Sequence, residues 1–119
     1  MAQDSPLVIH HNPACGTSRN TLELIRKAGL EPQIHEYLKT GWTRDQLQRL
    51  LPGMGKRPRD ILRVRGTPAE ELGLLKEGVS DDALLDAMVA HPILVERPIV
   101  ESSKGVRLCR PADLVEELL

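Results

Sequence analysis

The first forty residues place a strand, a sharp turn and a helix in immediate succession, and that order limits the fold more than any other part of the chain. Leu7-Val8-Ile9 is a short apolar run. His10 to Arg19 breaks it with Pro13, Cys15 and Gly16, after which Leu22, Ile25 and Ala28 recur at helical spacing over Asn20 to Ala28. Gly29 suits the left-handed residue that ends a helix, and Pro32 blocks any continuation. Gln33 to Leu38 then reads as a second strand, with imperfect alternation. Two strands joined through a helix run parallel, so the chain opens on a βαβ unit.

A helical section follows. Thr43-Arg44-Asp45-Gln46 is a capping box, Leu47, Leu50 and Leu51 give its helix an apolar stripe, and Gly53 and Gly55 close it. From Lys56 to Pro92 the pattern is helical throughout. Pro58 opens a short helix through Leu62, Thr67-Pro68-Ala69-Glu70 combines a capping box with a proline at the first helical position, and Ser80 caps a run carrying Leu84, Leu85 and Met88. His91-Pro92 ends the section.

Pro98-Ile99-Val100-Glu101 and Val106-Arg107-Leu108-Cys109 then read as an antiparallel hairpin across Ser102 to Gly105. Pro111 opens a last helix with Leu114, Val115 and Leu118 on one face. The order β-α-β, helices, β-β-α describes a four-stranded mixed sheet flanked by helices, the thioredoxin layout with a helical insertion at about residues 43–92. At 119 residues without a linker or repeat, the expectation is one domain spanning 1–119. Phe is absent and there is one Trp and one Tyr, so the core is aliphatic.

Sixteen Lys+Arg against 17 Asp+Glu leave a net charge of −1, which gives no footprint for nucleic acid or an anionic membrane. Met1 to Pro6 is polar and the apolar run behind it is too short for a signal segment or a membrane span, so a cytoplasmic location is expected. Cys15 and Cys109 are far apart, and no structural disulfide is expected in a reducing compartment. His10, His11, His35 and His91 lack metal-ligand spacing, so no metal is expected.

The chemistry concentrates at Cys15, where a strand gives way to a helix. Helix starts carry unpaired backbone N–H groups and the positive end of the dipole, which favour a thiolate over a thiol. Cys15 is therefore the candidate nucleophile. His11, four residues earlier, assists as a protonated ring or a hydrogen-bond donor, and Ser18 offers its hydroxyl. In Cys15-Gly16-Thr17-Ser18 a serine stands where thioredoxin-like oxidoreductases carry a second cysteine, so an oxidised or adducted Cys15 needs an external thiol. Tyrosine-type phosphatases need Cys-x5-Arg, and that arginine position holds Thr21, which disfavours phosphate-ester chemistry.

The run His11-Asn12-Pro13-Ala14-Cys15-Gly16-Thr17-Ser18-Arg19-Asn20-Thr21-Leu22-Glu23 closely resembles the active-site signature of glutaredoxin-coupled arsenate reductases. Further matches are Ala28-Gly29 to Pro32, Ile61-Leu62-Arg63, Leu72-Gly73-Leu74, Asp81-Asp82, His91 to Leu94, Arg97 to Val100 and Arg107 to Pro111, in the family's order. The resemblance implies a thioredoxin-like fold and reduction of arsenate to arsenite through a Cys15 adduct, with electrons from glutathione and glutaredoxin and no bound cofactor. It implies Cys15 as nucleophile, His11 and Ser18 as groups that tune its thiolate, and Arg63, Arg97 and Arg110 as oxyanion-binding arginines. Arg97-Pro98 ahead of a strand also looks like the thioredoxin-like cis-proline position. Guanidinium groups suit the task, because a thiolate attacking an oxyanion brings like charges together and arginine offsets that repulsion with bidentate hydrogen bonds. Phosphate, with the same shape and charge, is expected to compete weakly.

The same superfamily includes redox-responsive regulators that bind RNA polymerase, a second reading for this chain. Many of those regulators carry Cys-x-x-Cys, so Cys15-x-x-Ser18 counts against it and the three arginines count for the reductase. Lys56, Arg57, Arg59 and Arg65 read as a solvated helix face, Cys109 as a residue packed under a strand, and His91 as a helix end.

Overall fold

Val8–His10 forms β1, Gln33–His35 β2, Ile99–Ser102 β3 and Gly105–Leu108 β4 in a computed structural model that describes residues 7–119. The polar start Met1 to Pro6 lies outside the described residues. The sheet order is β2-β1-β3-β4, with β1 parallel to β2 and antiparallel to β3, and β3 antiparallel to β4. This is the expected four-stranded mixed sheet. Its centre is the Ile9–Val100 pair, both fully buried.

Side chains of paired residues share a face. Ile9 and Val100 therefore point to one side, where they meet Ile25, Cys109, Val115 and Leu118 in an aliphatic core. Ile25 comes from α1 (Gly16–Lys27) and Val115 and Leu118 from a 3-10 helix, Ala112–Leu118, and these two helices pack against each other. The other side of β1 carries His10, paired with Ile99 on β3 and His35 on β2.

Chain contacts divide the molecule into two compact units. One runs to Thr40 and resumes at Arg97–Leu119 and the other is Gly41–Glu96, where the expectation was one domain with a helical insertion at about residues 43–92. In the second unit α3 (Arg44–Met54) and the 3-10 helices Pro58–Ile61 and Pro92–Leu94 pack on α4 (Asp81–Ala90), with α2 (Tyr37–Thr40) belonging to the first unit. Leu47, Leu50, Ile61, Leu84, Met88 and Leu94 of this second unit are fully buried. Arg44 of α3 forms ion pairs with Asp82 and Asp86 of α4, and Arg57 pairs with Asp81.

Several boundaries differ from expectation. Helix α1 starts at Gly16 rather than Asn20, which makes Cys15 its N-cap residue. The second strand stops at His35, because Glu36 offers its carbonyl to the N–H groups of Lys39 and Thr40 and turns the chain into α2. The helix expected at Thr67 is a set of turns: the Thr67 hydroxyl donates to the carbonyls of Arg63 and Val64, and Gly73 at φ +75 reverses the chain after one turn. Gly53 lies inside α3, which ends at Gly55 in the left-handed region, φ 68. The last helix is 3-10, a geometry that stacks Val115 directly under Leu118 at i, i+3 and leaves Leu114 only partly buried. The hairpin strands span Ile99–Ser102 and Gly105–Leu108, so its turn is shorter than expected.

Candidate active site

The loop between β1 and α1 is held by Asn12. Its carbonyl accepts the Cys15 N–H at 3.0 Å, its Oδ1 accepts the Ala14 N–H at 2.9 Å, and its own N–H donates to Ser18 Oγ at 3.1 Å. An asparagine that bonds the backbone two residues on is a turn device, and Pro13 fixes the next φ. Asn12 was visible in the sequence only as the first half of an Asn-Pro turn signal, yet it is buried and makes three of the loop's bonds. It brings Cys15 to the N-cap with an extended backbone, φ −95 and ψ 123. N-cap side chains are usually hydroxyls or carboxylates that accept from the first turn. Here the position holds sulfur.

Burial pushes the Cys15 thiol up. The Ser18 backbone N–H and the Arg97 and Arg110 guanidiniums together pull it down further, so its pKa lies below the ordinary thiol value. The Ser18 N–H acts through its dipole, without closing a full cap hydrogen bond to sulfur. Arg110 Nη1 is 3.7 Å from Cys15 Sγ and also donates to the Arg97 carbonyl at 2.9 Å. Both arginines precede cis prolines, Pro98 and Pro111. Arg97 lies beside the same sulfur, and its Nε and Nη1 are buried with no acceptor among the described residues. Buried guanidinium N–H groups without partners are costly, and an anion placed there would satisfy them.

His11 and Ser18 form one unit, with His11 Nδ1 2.6 Å from Ser18 Oγ. That hydroxyl also accepts from the Asn12 N–H, and its remaining lone pair or its own proton meets Nδ1 according to the His11 tautomer. Burial lowers the His11 pKa, Glu36 raises it, and Arg26 and Arg19 lower it again; the net direction is down. His11 is thus a neutral ring held by Ser18 rather than a cation beside the sulfur. The Ser18 hydroxyl expected at the thiol is occupied by His11 and Asn12, and the group Ser18 turns toward Cys15 is its backbone N–H.

Cys15, His11, Ser18, Arg97 and Arg110 are therefore gathered in the first unit. Arg63 belongs to the second, beside the bridge between Leu62 and Val95. Its N–H donates to the Leu94 carbonyl, its Nε to the Arg65 carbonyl at 3.2 Å, and its Nη1 pairs with Glu96 at 3.1 Å. His10 contacts the Glu101 carboxylate at 2.7 Å and His35 Nδ1 at 2.8 Å, a partly buried cluster that the sequence did not disclose because its members are 25 and 91 residues apart. Cys109 is free, as is Cys15, and burial pushes the Cys109 thiol up to about 12. Among the described residues no three His, Cys, Asp or Glu side chains gather as a metal-binding group, and no helix is long and apolar enough to cross a membrane.

The sheet order, the flanking helices and a thiol at the start of the first helix define a thioredoxin-like protein built around a single cysteine. Comparison with known proteins narrows this further. The ArsC family profile matches residues 10–118. The chain is 55% identical over 116 residues to arsenate reductase ArsI1 of Synechocystis, covering 98% of this chain and 81% of that protein. It is 54% identical over 115 residues to the arsenate reductase of Escherichia coli K12, covering 97% and 82%. The solved arsenate reductase from Vibrio cholerae superposes with a TM-score of 0.91 at 40% identity, covering 98% of this chain and all of that one. The chain belongs to the ArsC family.

Proposed function

We propose that the protein is a cytoplasmic arsenate reductase that uses Cys15 as nucleophile and glutathione with glutaredoxin as electron source. The observation that carries this reading is Arg97: two buried guanidinium N–H groups without an acceptor, beside a thiol whose pKa is lowered. Relatives more than half identical over nearly the whole chain and named arsenate reductase support the choice of oxyanion.

In the first step the Cys15 thiolate forms a bond to arsenic and one arsenate oxygen, taking up protons, leaves as water. Arg97 and Arg110 hold the remaining oxygens and offset the charge of the entering sulfur. Arg63 keeps the substrate-binding role that the family resemblance gives it. Two external thiols then end as one disulfide, and the electron pair they release takes arsenic from +5 to +3. Glutathione supplies the first sulfur and glutaredoxin removes it as the mixed disulfide. Hydrolysis of the remaining sulfur–arsenic bond returns arsenite and the Cys15 thiol. The protein itself needs no bound metal or organic cofactor in this scheme, and phosphate is a weak competitor for the arginines.

The test is arsenite production by wild type and Cys15→Ser with glutathione and glutaredoxin supplied. Wild type is expected to turn over and the variant to be silent. An inactive wild type under those conditions, or an active Cys15→Ser, overturns the reading.

A further inference from the structure

Ser18 occupies the place of a second cysteine and Cys109 is fully buried in the core, so the thiol that meets the Cys15 adduct comes from outside. An open groove of about 720 Å³ runs along the outward face of α1, lined by His11, Pro13, Arg19, Leu22, Glu23 and Lys27 among others. His11 and Pro13 belong to the Cys15 loop and border the groove. Arg19, Leu22 and Arg26 recur at i, i+3 and i+7, so the groove follows one face of α1, the helix whose N-cap residue is Cys15.

The groove is basic. Arg19, Arg26 and Lys27 line it against one carboxylate, Glu23. Arg26 is held by Glu31 through two hydrogen bonds, and Arg19 gives only its Nη1 to the Pro13 carbonyl. Lys27 is exposed at the end of α1. Eight residues of helix put Arg19 and Lys27 roughly 12 Å apart along the axis. An extended tripeptide spans roughly 10 Å. The spacing matches a tripeptide with a carboxylate at each end, and Glu23, one helical turn from each cation, is within reach of an ammonium carried on the same carbon as one of those carboxylates.

We infer that this groove seats the external reductant as a small peptide thiol, its two carboxylates on Arg19 and Lys27 and its ammonium on Glu23, an assignment that rests on the reductase reading above. From that seat the thiol sulfur adds to arsenic on Cys15. A sulfur–arsenic bond forms, an arsenic–oxygen bond breaks, and the oxygen leaves as water with the thiol proton. Arsenic stays at +5 until the second thiol takes the peptide sulfur into a disulfide and leaves the electron pair on arsenic. The groove's cations also act on His11, whose pKa Arg26 and Arg19 lower.

The experiment titrates 15N-labelled protein with S-methylglutathione, whose sulfur is blocked, and follows backbone amides by NMR. Saturable shifts are expected at Arg19, Leu22, Glu23 and Lys27. Lys27→Glu should weaken binding at least fivefold and raise the glutathione KM by a similar factor, and the gentler Lys27→Gln should weaken binding about two- to threefold. Lys76→Glu, the same charge reversal on an exposed lysine of the second unit, should leave binding within twofold of wild type. Absence of shifts along α1, an unaltered affinity in Lys27→Glu, or the same shifts with inorganic phosphate alone would each overturn the assignment. So would shifts at these amides with reduced glutaredoxin but none with S-methylglutathione, which would give the groove to a protein partner. No arsenate enters the titration: binding here without arsenate turnover removes the reductase reading and keeps the site, whereas a Cys15–arsenate adduct without binding here does the reverse.

Discussion

At the scale of single residues the chemistry turns on which influence at Cys15 prevails. Burial favours the neutral thiol; the Ser18 N–H, Arg97 and Arg110 favour the thiolate, and they win. An acid whose pKa is lowered keeps its charged form to lower pH, so reactivity persists as pH falls and is lost only below the shifted value. The rate of Cys15 alkylation by neutral iodoacetamide should therefore reach half its plateau below pH ~8.5, the value of a free thiol. Arg97→Ala should move that midpoint up. A wild-type midpoint at or above the free-thiol value would mean that burial prevails. Arg97 can be separated further by comparing alanine with lysine. Alanine removes the charge and the fork of donors, and kcat/KM for arsenate should fall about 10²-fold, the usual scale for losing one donor to a developing oxyanion. Lysine restores the charge without the planar fork and should recover only part of the loss. Equal values for the two variants would show that geometry matters and charge does not. The position of Cys15 was legible in the sequence because strand, proline turn and helix follow one another directly. The pairing of Ser18 Oγ with His11 was not, since a hydroxyl seven residues away has several possible partners and only the folded loop selects one.

At the scale of elements the same signature leads to different structures. Thr43 and Gln46 form a complete capping box: Thr43 Oγ1 accepts the Gln46 N–H at 3.1 Å, and Gln46 Oε1 accepts the Thr43 N–H at 2.8 Å. Eleven helical residues follow, with Leu47, Leu50 and Leu51 buried. Thr67 begins the same motif, but its hydroxyl donates backwards to the Arg63 and Val64 carbonyls and accepts from Ala69 instead of Glu70. What separates them lies downstream. Gly73 comes six residues after Thr67 with a positive φ, and only Ala69 and Leu74 of that stretch are buried, too little apolar surface to carry a helix. Thr43→Ala should lower unfolding stability by about 1 kcal/mol with an unchanged m-value in urea. A loss within a few tenths of a kcal/mol would mean that packing alone sets the start of α3. The strand periodicity misled at Gln33 to Leu38 for a related reason. Ile34 points to solvent on an edge strand while Tyr37 is fully buried, so the alternation expected of a longer strand never held.

At the scale of the whole molecule the two cysteines report on opposite environments of one unit. Cys15 sits half-buried among cations and Cys109 sits in the apolar core with Ile9, Ile25 and Val100, where burial holds its pKa near 12. The sequence made the aliphatic character of that core legible, because with no Phe the buried sites fall to Ile, Val, Leu and a small thiol. The helical pattern at about residues 43–92 was legible as an insertion within one expected domain; that the chain forms two compact units, parted after Thr40 and before Arg97, was not. A thiol raised in the native state stays protonated while the unfolded chain ionises at its ordinary value. In that window the unfolded state binds fewer protons than the native state, so stability must fall as pH rises. Between about pH 9 and the folded value the slope from this one group is at most about 1.4 kcal/mol per pH unit, reduced by whatever water reaches the sulfur. Urea unfolding of wild type and Cys109→Ala at pH 7 and over pH 9–10.5 should show the variant less stable at pH 7 but flatter with pH over the higher range, because the cavity term is constant and the proton term is gone. Thiol counting supplies a second readout on the same protein: at pH 8 the native chain should react at Cys15 alone, with Cys109 appearing at the rate of unfolding. Equal slopes for the two proteins together with two fast-reacting thiols would place Cys109 in a part of the fold that opens locally, and the core around Ile9 and Val100 would then be less closed than its packing requires.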